Sequence, residues 1–383
     1  MRSSRPPTMN DVAAAAGVGL KTVSRYVNGA TNINAELSER IGAAIESLGY
    51  RHNLAAASIR PGRSSKVVGL IIGDLANPYY SVLARSVERV CTEHGYLLMS
   101  ASSEEDAGRH RLLVDRLVAQ RVDGLIVVPP RHATTPWATS TVAHAPMVLV
   151  DRPTGPLESV EVHTVLADNA GGARRATAAM LDGGARRIAF LGDSLELYTM
   201  RERLTGYHRA RAEADHVSAA GAPPPEPIVS DGAHSVEDAA AVVAGFLREG
   251  VVDGVFAANN RAAIGTMQAF AAAGRRLPLV GFDDFEAAPL VTPAVSVVAQ
   301  DVALMGRVAA ETLLALIAGE AGPPTTHTLD VHLELRGSER CAGPFDKLRD
   351  RSGRSETGTP FDKLRDRSGC SETETLRQAQ GPE

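Results

Sequence analysis

Aromatic residues are scarce, at 4% of 383 residues with a single tryptophan, which argues against a broad stacking surface for single-stranded nucleic acid. Cysteine is scarcer still. Cys91, Cys341 and Cys370 stand far apart, without metal-site spacing or the density of a disulfide scaffold, and they fit a reducing compartment. No apolar run approaches the roughly 18 residues of a membrane span. Met1 to Pro7 lead into no apolar segment, so the expectation is a cytoplasmic chain without a secretory signal. Gly-x-Ser-x-Gly, Gly-x4-Gly-Lys, His-Glu-x-x-His and Cys-x-x-Cys are all missing, and the 11 histidines are scattered. No catalytic centre, metal or cofactor is therefore expected. What remains is 44% hydrophobic and 22% charged, a globular composition long enough for two or three domains.

Charge divides the chain. Residues 1–66 hold nine Lys/Arg against four Asp/Glu, residues 67–340 hold 23 against 33, and residues 341–383 hold eight of each. A basic head on an acidic body suggests that the head meets a polyanion and the body does something else.

The head reads as three short helices. Thr8-Met9-Asn10-Asp11 has the form of a capping box, and Met9, Val12, Ala13 and Ala16 follow as one apolar stripe. Gly17-Val18-Gly19 interrupts it. Leu20, Val23 and Val27 form a second stripe that leaves Lys21, Thr22, Arg25 and Tyr26 on other faces, and Asn28-Gly29 ends it. A third helix opens near Asn34, buries Leu37, Ile41, Ala44, Ile45 and Leu48, and stops at Gly49. Helix, short glycine turn, helix and supporting helix make a helix-turn-helix, whose second helix enters the major groove when its exposed face carries donors. A small helical bundle with a solvated basic face would show the same pattern.

The runs Asn10-Asp11-Val12-Ala13, Ala16-Gly17-Val18, Thr22-Val23-Ser24-Arg25, Val27-Asn28-Gly29 and Leu48-Gly49-Tyr50 closely resemble the headpiece of the LacI/GalR family of bacterial transcription repressors. The resemblance implies that Leu20, Lys21 and Arg25 read bases, and that Thr22, Ser24, Asn28, Asn32 and Asn34 meet phosphates. Gly19 departs from the family's usual serine, which removes one capping and phosphate-contacting hydroxyl. Residues 51–66 are alanine-rich, then basic with Pro61 and Gly62, and read as a linker that orders on binding. By resemblance two such hinge helices pair in the minor groove through Ala56, Ile59 and Arg60, with Ile59 replacing the family's leucine wedge. A plain flexible linker is the alternative.

From residue 67 short apolar runs alternate with helical stretches. Strands are expected at Val67–Ile72, Tyr96–Ser100, Gly124–Val128, Met147–Asp151, Arg187–Leu191, Asp253–Ala257, Leu279–Phe282 and Val295–Ala299, with helices near 79–94, 105–121, 170–183, 201–215, 236–249, 260–273 and 302–318. This is an α/β pattern of parallel sheets covered on both faces, in two lobes with a ligand cleft at the strand ends. Asp, Asn and Arg with a few rings at those ends suit a neutral polyol or sugar. Their alternative role is to cap the helices that follow.

Asn77-Pro78-Tyr79-Tyr80, Arg121-Val122-Asp123-Gly124, Asp151-Arg152-Pro153, Asp168-Asn169, Arg201 through Tyr207, Gly281-Phe282-Asp283 and Met305-Gly306 resemble the family's effector domain, which is similar to a periplasmic sugar-binding protein. The resemblance nominates Asp74, Tyr79, Tyr80, Asp151, Arg152, Thr199, Arg203, Asn259, Asp283 and Gln300 as effector-lining. Asn260 and Asp301 depart from the usual aspartate and proline.

The implied organisation is a headpiece at 1–52, a hinge helix and linker at 53–66, a two-lobe effector and dimerisation domain at 67–338, and a tail at 339–383. In the tail Pro344 through Gly353 recur as Pro360 through Gly369, polar copies that cannot build a core and are expected to be disordered. The expected function is a homodimeric repressor of a pseudo-palindromic DNA operator, regulated by a small molecule, most often a sugar in this family. A sugar-binding protein without DNA function and a carbohydrate-processing enzyme stay open as alternatives.

Overall fold

A computed structural model describes residues 5–30, 32–51, 64–131, 145–154, 162–217 and 226–340. The hinge residues Ala56, Ile59 and Arg60 and the repeated tail lie outside the described residues.

The head folds as α1 (Met9–Ala16), α2 (Leu20–Val27) and α3 (Ala35–Leu48). Thr8 and Asp11 close the capping box from both sides, and Gly17 ends α1 in the left-handed conformation, φ 62°. Arg40 of α3 donates to the Ala16 carbonyl at 2.6 Å, satisfying an end of α1 from another helix. Val12, Ala13, Ala16, Val23, Ile41, Ala44 and Tyr50 form the core, with Met9, Val18, Tyr26, Val27 and Ile45 packed on it. Tyr26 thus joins the core rather than an outer face, and Leu48, expected inside, is exposed at the helix end.

The body contains two sheets. The first has strand order β11-β5-β4-β3-β1-β2, with β1 (Val67–Ile72), β2 (Leu97–Ser102), β3 (Gly124–Val127), β4 (Met147–Val150), β5 (His163–Ala167) and β11 (Thr326–Leu329). All of its neighbours pair in parallel. The second has the order β12-β10-β9-β8-β6-β7, with β6 (Ile188–Leu191), β7 (Ile228–Ser230), β8 (Gly254–Ala257), β9 (Leu279–Phe282), β10 (Ser296–Gln300) and β12 (Val331–Glu334). The two orders are topologically equivalent, strand for strand. The helices are α4 (Pro78–Glu93), α5 (Ala107–Ala119), α6 (Asn169–Asp182), α7 (Tyr198–Val217), α8 (Val236–Glu249), α9 (Asn260–Ala273) and α10 (Val302–Ala318).

β3, β4, β6, β8 and β9 are buried at every position, as parallel strands covered on both faces must be. Their continuous apolar runs made them legible in the sequence. β5, β7, β11 and β12 were not expected. β5 opens on His163 and Thr164, β7 has three residues, and on the sheet edges β11 opens with three polar residues while β12 alternates apolar and polar ones. β2 runs to Ser102 rather than Ser100, which moves the strand end onto Glu104 and Glu105.

The chain forms two compact units, one including Ser194–Arg203 and Ala299–His332 with the residues before Gly172, the other Gly172–Asp193, Leu204–Val298 and the residues from Leu333. In the first, α10 crosses α4 closely at Gly306, where a Cβ would stand 2.8 Å from the Leu83 carbonyl. Ser86 Oγ donates to the Ala303 carbonyl across the same crossing. Asp301 caps α10 by accepting from Leu304 N–H at 2.7 Å, a side-chain bond that starts the helix. In the second unit buried Glu339 accepts from Ser296 Oγ at 2.6 Å and Gly337 N–H at 2.9 Å. Burial raises its pKa, but these bonds outweigh it and hold the carboxyl below its usual value.

Candidate functional site

In the head, α2 presents its residues as a DNA-reading helix requires. Val23 is fully buried, Leu20 is 43% exposed, and Lys21 and Arg25 are exposed, with Thr22 and Ser24 half-buried. Arg25 Nη2 donates to the side-chain oxygen of Asn32 and to its carbonyl at 3.3 Å. The Asn28 amide donates to the Ser24 carbonyl. Asn34 caps α3 through Glu36 N–H at 2.9 Å, and Gly19 caps α2 without a side-chain bond. The exposed Arg25 of α2 therefore rests on Asn32 in the segment between α2 and α3.

At the strand ends of the first sheet, Tyr79, Tyr80, Asp151 and Arg152 form one hydrogen-bonded cluster. Tyr79 OH donates to Asp151 Oδ1 at 3.2 Å and touches Met305 Sδ at 3.2 Å. Arg152 is buried, and all five of its N–H donors are occupied. Nε bonds Asp151 at 3.1 Å, Nη1 bonds Glu105 at 2.8 Å and the Pro129 carbonyl at 3.1 Å, and Nη2 bonds Tyr80 OH at 3.0 Å and Glu105 at 2.9 Å. Burial opposes the guanidinium's charge, but Tyr80, Glu105 and Asp151 outweigh it and keep its pKa well above the usual value. Gly73 lies against this pair, and a Cβ there would stand 2.4 Å from Glu105 Oε1 and 2.8 Å from Tyr80 OH, so both side chains would have to shift.

Glu105 was not singled out in the sequence. Its signal is the strand-end position after β2, displaced two residues from the expected end, and its φ of 57° is invisible in sequence. Near it, His110 is buried, and burial pushes its imidazole down to about 4 although Glu105 pulls the other way.

Arg203 is buried in α7 and its Nε donates to Asn169 Oδ1 at 2.8 Å. Asn169 in turn donates to the Ala167 carbonyl at 3.1 Å, which fixes the amide's orientation. Thr199 is buried in the first turn of α7, Gln300 is half-buried at the end of β10, and Asp74 accepts from Ala76 N–H at 2.8 Å in the turn after β1. In the second unit Asn259 caps α9 through Ala262 N–H at 2.8 Å, the capping role foreseen for strand-end asparagines. Asp283 is half-buried at the end of β9. Asp193 pairs with His234, and Asp284 holds Arg336 through two bonds of 2.9 and 2.7 Å. Among the described residues no group of three His, Cys, Asp or Glu is placed to hold a metal, and no helix is long and apolar enough to cross a membrane.

A helix-turn-helix with a cationic exposed face, on the same chain as two parallel-rich sheets of equivalent strand order with polar strand ends, defines a class: DNA-binding regulators with a periplasmic-binding-protein-like body. The family model for bacterial regulatory proteins of the lacI family matches residues 8–53, and that for the periplasmic binding protein-like domain matches residues 177–339. The HTH-type transcriptional regulator CelR of Thermobifida fusca is 33% identical over 348 residues, 88% of this chain and 100% of the relative. The ribose operon repressor of Halalkalibacterium halodurans is 28% identical over 341 residues, 88% of this chain and 97% of the relative. Among solved structures, the CelR–cellobiose complex aligns with a TM-score of 0.63 at 30% identity, over 87% of this chain and 99% of that one. The lac repressor dimer bound to operator and the anti-inducer ONPF aligns with a TM-score of 0.75 at 25% identity, over 88% and 100%. The chain belongs to the LacI family of bacterial DNA-binding transcription regulators.

Proposed function

We propose that the protein is a cytoplasmic, homodimeric repressor whose hold on a pseudo-palindromic operator is set by a neutral, hydroxyl-bearing effector, a sugar or sugar derivative. The domain division is 1–52, 53–66, 67–338 and 339–383. The observation that carries the reading is α2, where Val23 is locked in the core while Leu20, Lys21 and Arg25 face outward. Major-groove reading needs that division of one helix into an anchored and a donor-bearing face. Lys21 and Arg25, with Leu20, read bases; Thr22, Ser24, Asn28, Asn32 and Asn34 meet the backbone; Ala56, Ile59 and Arg60 enter the minor groove.

The neutral effector follows from Arg152. With all five donors occupied, it positions Asp151 and Tyr80 rather than gripping an anion. Asp151, Arg152, Tyr79 and Tyr80, with Asp74, Thr199, Arg203, Asn259, Asp283 and Gln300, are the effector-lining set. A binding role rather than catalysis is supported by the same cluster. Glycoside chemistry needs a pair of available carboxyl groups, and Glu105 and Asp151 are both bonded to Arg152. The CelR relative in complex with cellobiose and the ribose operon repressor make cellobiose and ribose the first effectors to titrate.

The test is selection from a random duplex pool by the full-length protein. A two-fold-symmetric site with fixed half-site spacing is expected, and its affinity is then followed against each sugar. Failure to enrich any symmetric site, with or without sugars, would overturn the repressor reading.

A further inference from the structure

Asp123, just ahead of β3, receives the chain that leads from the hinge into the body. Ser65 donates to its Oδ1 twice, from N–H at 2.7 Å and from Oγ at 2.9 Å. Lys66 N–H donates to Oδ2 at 3.1 Å, and the Ser64 hydroxyl donates to the same oxygen. The other side of the segment is held by β2. The Lys66 carbonyl accepts from Leu97 N–H at 2.8 Å, and its ammonium lies 4.2 Å from the Tyr96 ring centroid. Lys66 itself has φ 56°, a conformation that persists in a non-glycine residue only when its surroundings over-determine it.

The second unit contains the same motif with a different attachment. Val252-Asp253-Gly254 repeats Val122-Asp123-Gly124, and Asp253 Oδ1 accepts from Arg186 and Arg187 N–H at 2.9 and 2.7 Å, ahead of β6. Tying the first strand's entry to the third strand's aspartate is therefore part of the fold. What precedes Arg186 is α6, whereas what precedes Ser64 is the segment joining the DNA-reading helices to the body. Only at Asp123 do two serine hydroxyls add to the backbone donors.

We infer that Asp123 is a positioning residue for operator binding, fixing the body-side end of the hinge before DNA arrives. The inference rests on the hinge reading proposed above. Ordering backbone costs entropy, and with Ser64–Lys66 already ordered by the carboxylate, that cost does not fall on the DNA complex. A stiffer attachment also raises the effective concentration of the second headpiece once the first has docked.

The test measures operator affinity of the full-length protein by fluorescence anisotropy, on the duplex recovered by selection, with thermal melting alongside. Asp123→Ala is expected to weaken operator binding by about tenfold. Asp123→Asn, which keeps an acceptor for Ser65, is expected to recover part of it. Asp253→Ala removes the matching fold contact and is expected to lower the melting temperature while operator affinity stays at wild type. An Asp123→Ala protein that binds like wild type, or an Asp253→Ala protein that loses as much affinity, overturns the proposal. If Asp123→Ala does not fold, the Ser64→Ala/Ser65→Ala double variant keeps the carboxylate and is expected to bind about threefold more weakly; unchanged affinity there also overturns it. A wild-type protein with no operator preference overturns the hinge reading itself.

Discussion

Asp151 and Asp283 end topologically equivalent strands of the two sheets in the same left-handed backbone conformation, φ 71° and 70°. Each donates its N–H to the next strand over, to Val165 O and Val298 O, both at 2.9 Å. Such a conformation costs about 1–3 kcal/mol in a non-glycine residue and clusters at ligand clamps. Its recurrence at matching strand ends gives each unit one carboxylate turned out of the strand's alternation.

The Glu105–Arg152 pair is a point of high sensitivity. Glu105 accepts two of the five donors of a buried guanidinium that keeps only Asp151 as a carboxylate partner without it, so Glu105→Ala is expected to cost about 1–3 kcal/mol. Neutralising the whole triad, as in Glu105→Met/Asp151→Asn/Arg152→Met, is expected to recover most of that loss, because no buried charge is left without its partner. Chemical denaturation of wild type, the single and the triple variant checks it, and equal losses in the single and triple variants would refute the triad's role.

His110 makes stability depend on pH. Its folded value, about 4, lies below the ordinary 6.5, so the unfolded chain takes up the proton first. Stability is therefore complete above about pH 6.5 and falls as pH drops toward 4, by on the order of 3 kcal/mol. His110→Gln is expected to flatten the stability profile between pH 7 and 4.5. A parallel slope in wild type and variant counts against burial of the neutral imidazole.

Base reading predicts a change of preference rather than a uniform loss. Lys21→Ala and Arg25→Ala are each expected to cost about 1–3 kcal/mol on the selected operator and to relax specificity at one position of each half-site. An equal loss on every duplex would make both residues phosphate contacts.

Gly19 offers a gain. At φ −72° and ψ 147° it has no side-chain cap bond, and a Cβ there would meet nothing within 4 Å. Gly19→Ser is expected to stabilise the headpiece by about 0.5–1 kcal/mol, from a better cap and a less flexible unfolded chain, and to tighten operator binding. Melting and anisotropy on the same sample test both; a lower melting temperature would sink the idea.

Arg203 depends on Asn169. Arg203→Ala is expected to abolish the effector response while leaving operator binding intact. Asn169→Ala, which removes the 2.8 Å support, is expected to weaken effector affinity by about tenfold. Calorimetric titration with the identified effector reads both, and an undisturbed dose response in Arg203→Ala would remove the residue from the site.

The sequence by itself determined what depends on neighbours along the chain. Thr8 and Asp11 cap α1 because they lie one turn apart, and Val12, Ala16 and Val23 reach the core because they recur at helical spacing. β3, β4, β6, β8 and β9 announced themselves as unbroken apolar runs, since a sheet covered on both faces has no polar side to show; β5, just as buried, opens on His163 and Thr164 and did not. Edge strands such as β11 and β12 gave no such signal, because half-exposed edges tolerate Thr, His and Glu. Tertiary structure alone decided which polar groups were already engaged. Arg152 meets Glu105 across 47 residues and Asp123 meets Ser65 across 58, separations at which no periodicity operates. A residue's type announces that it can bond; only the fold, by bringing distant donors within 3 Å, determines which of those bonds are already made.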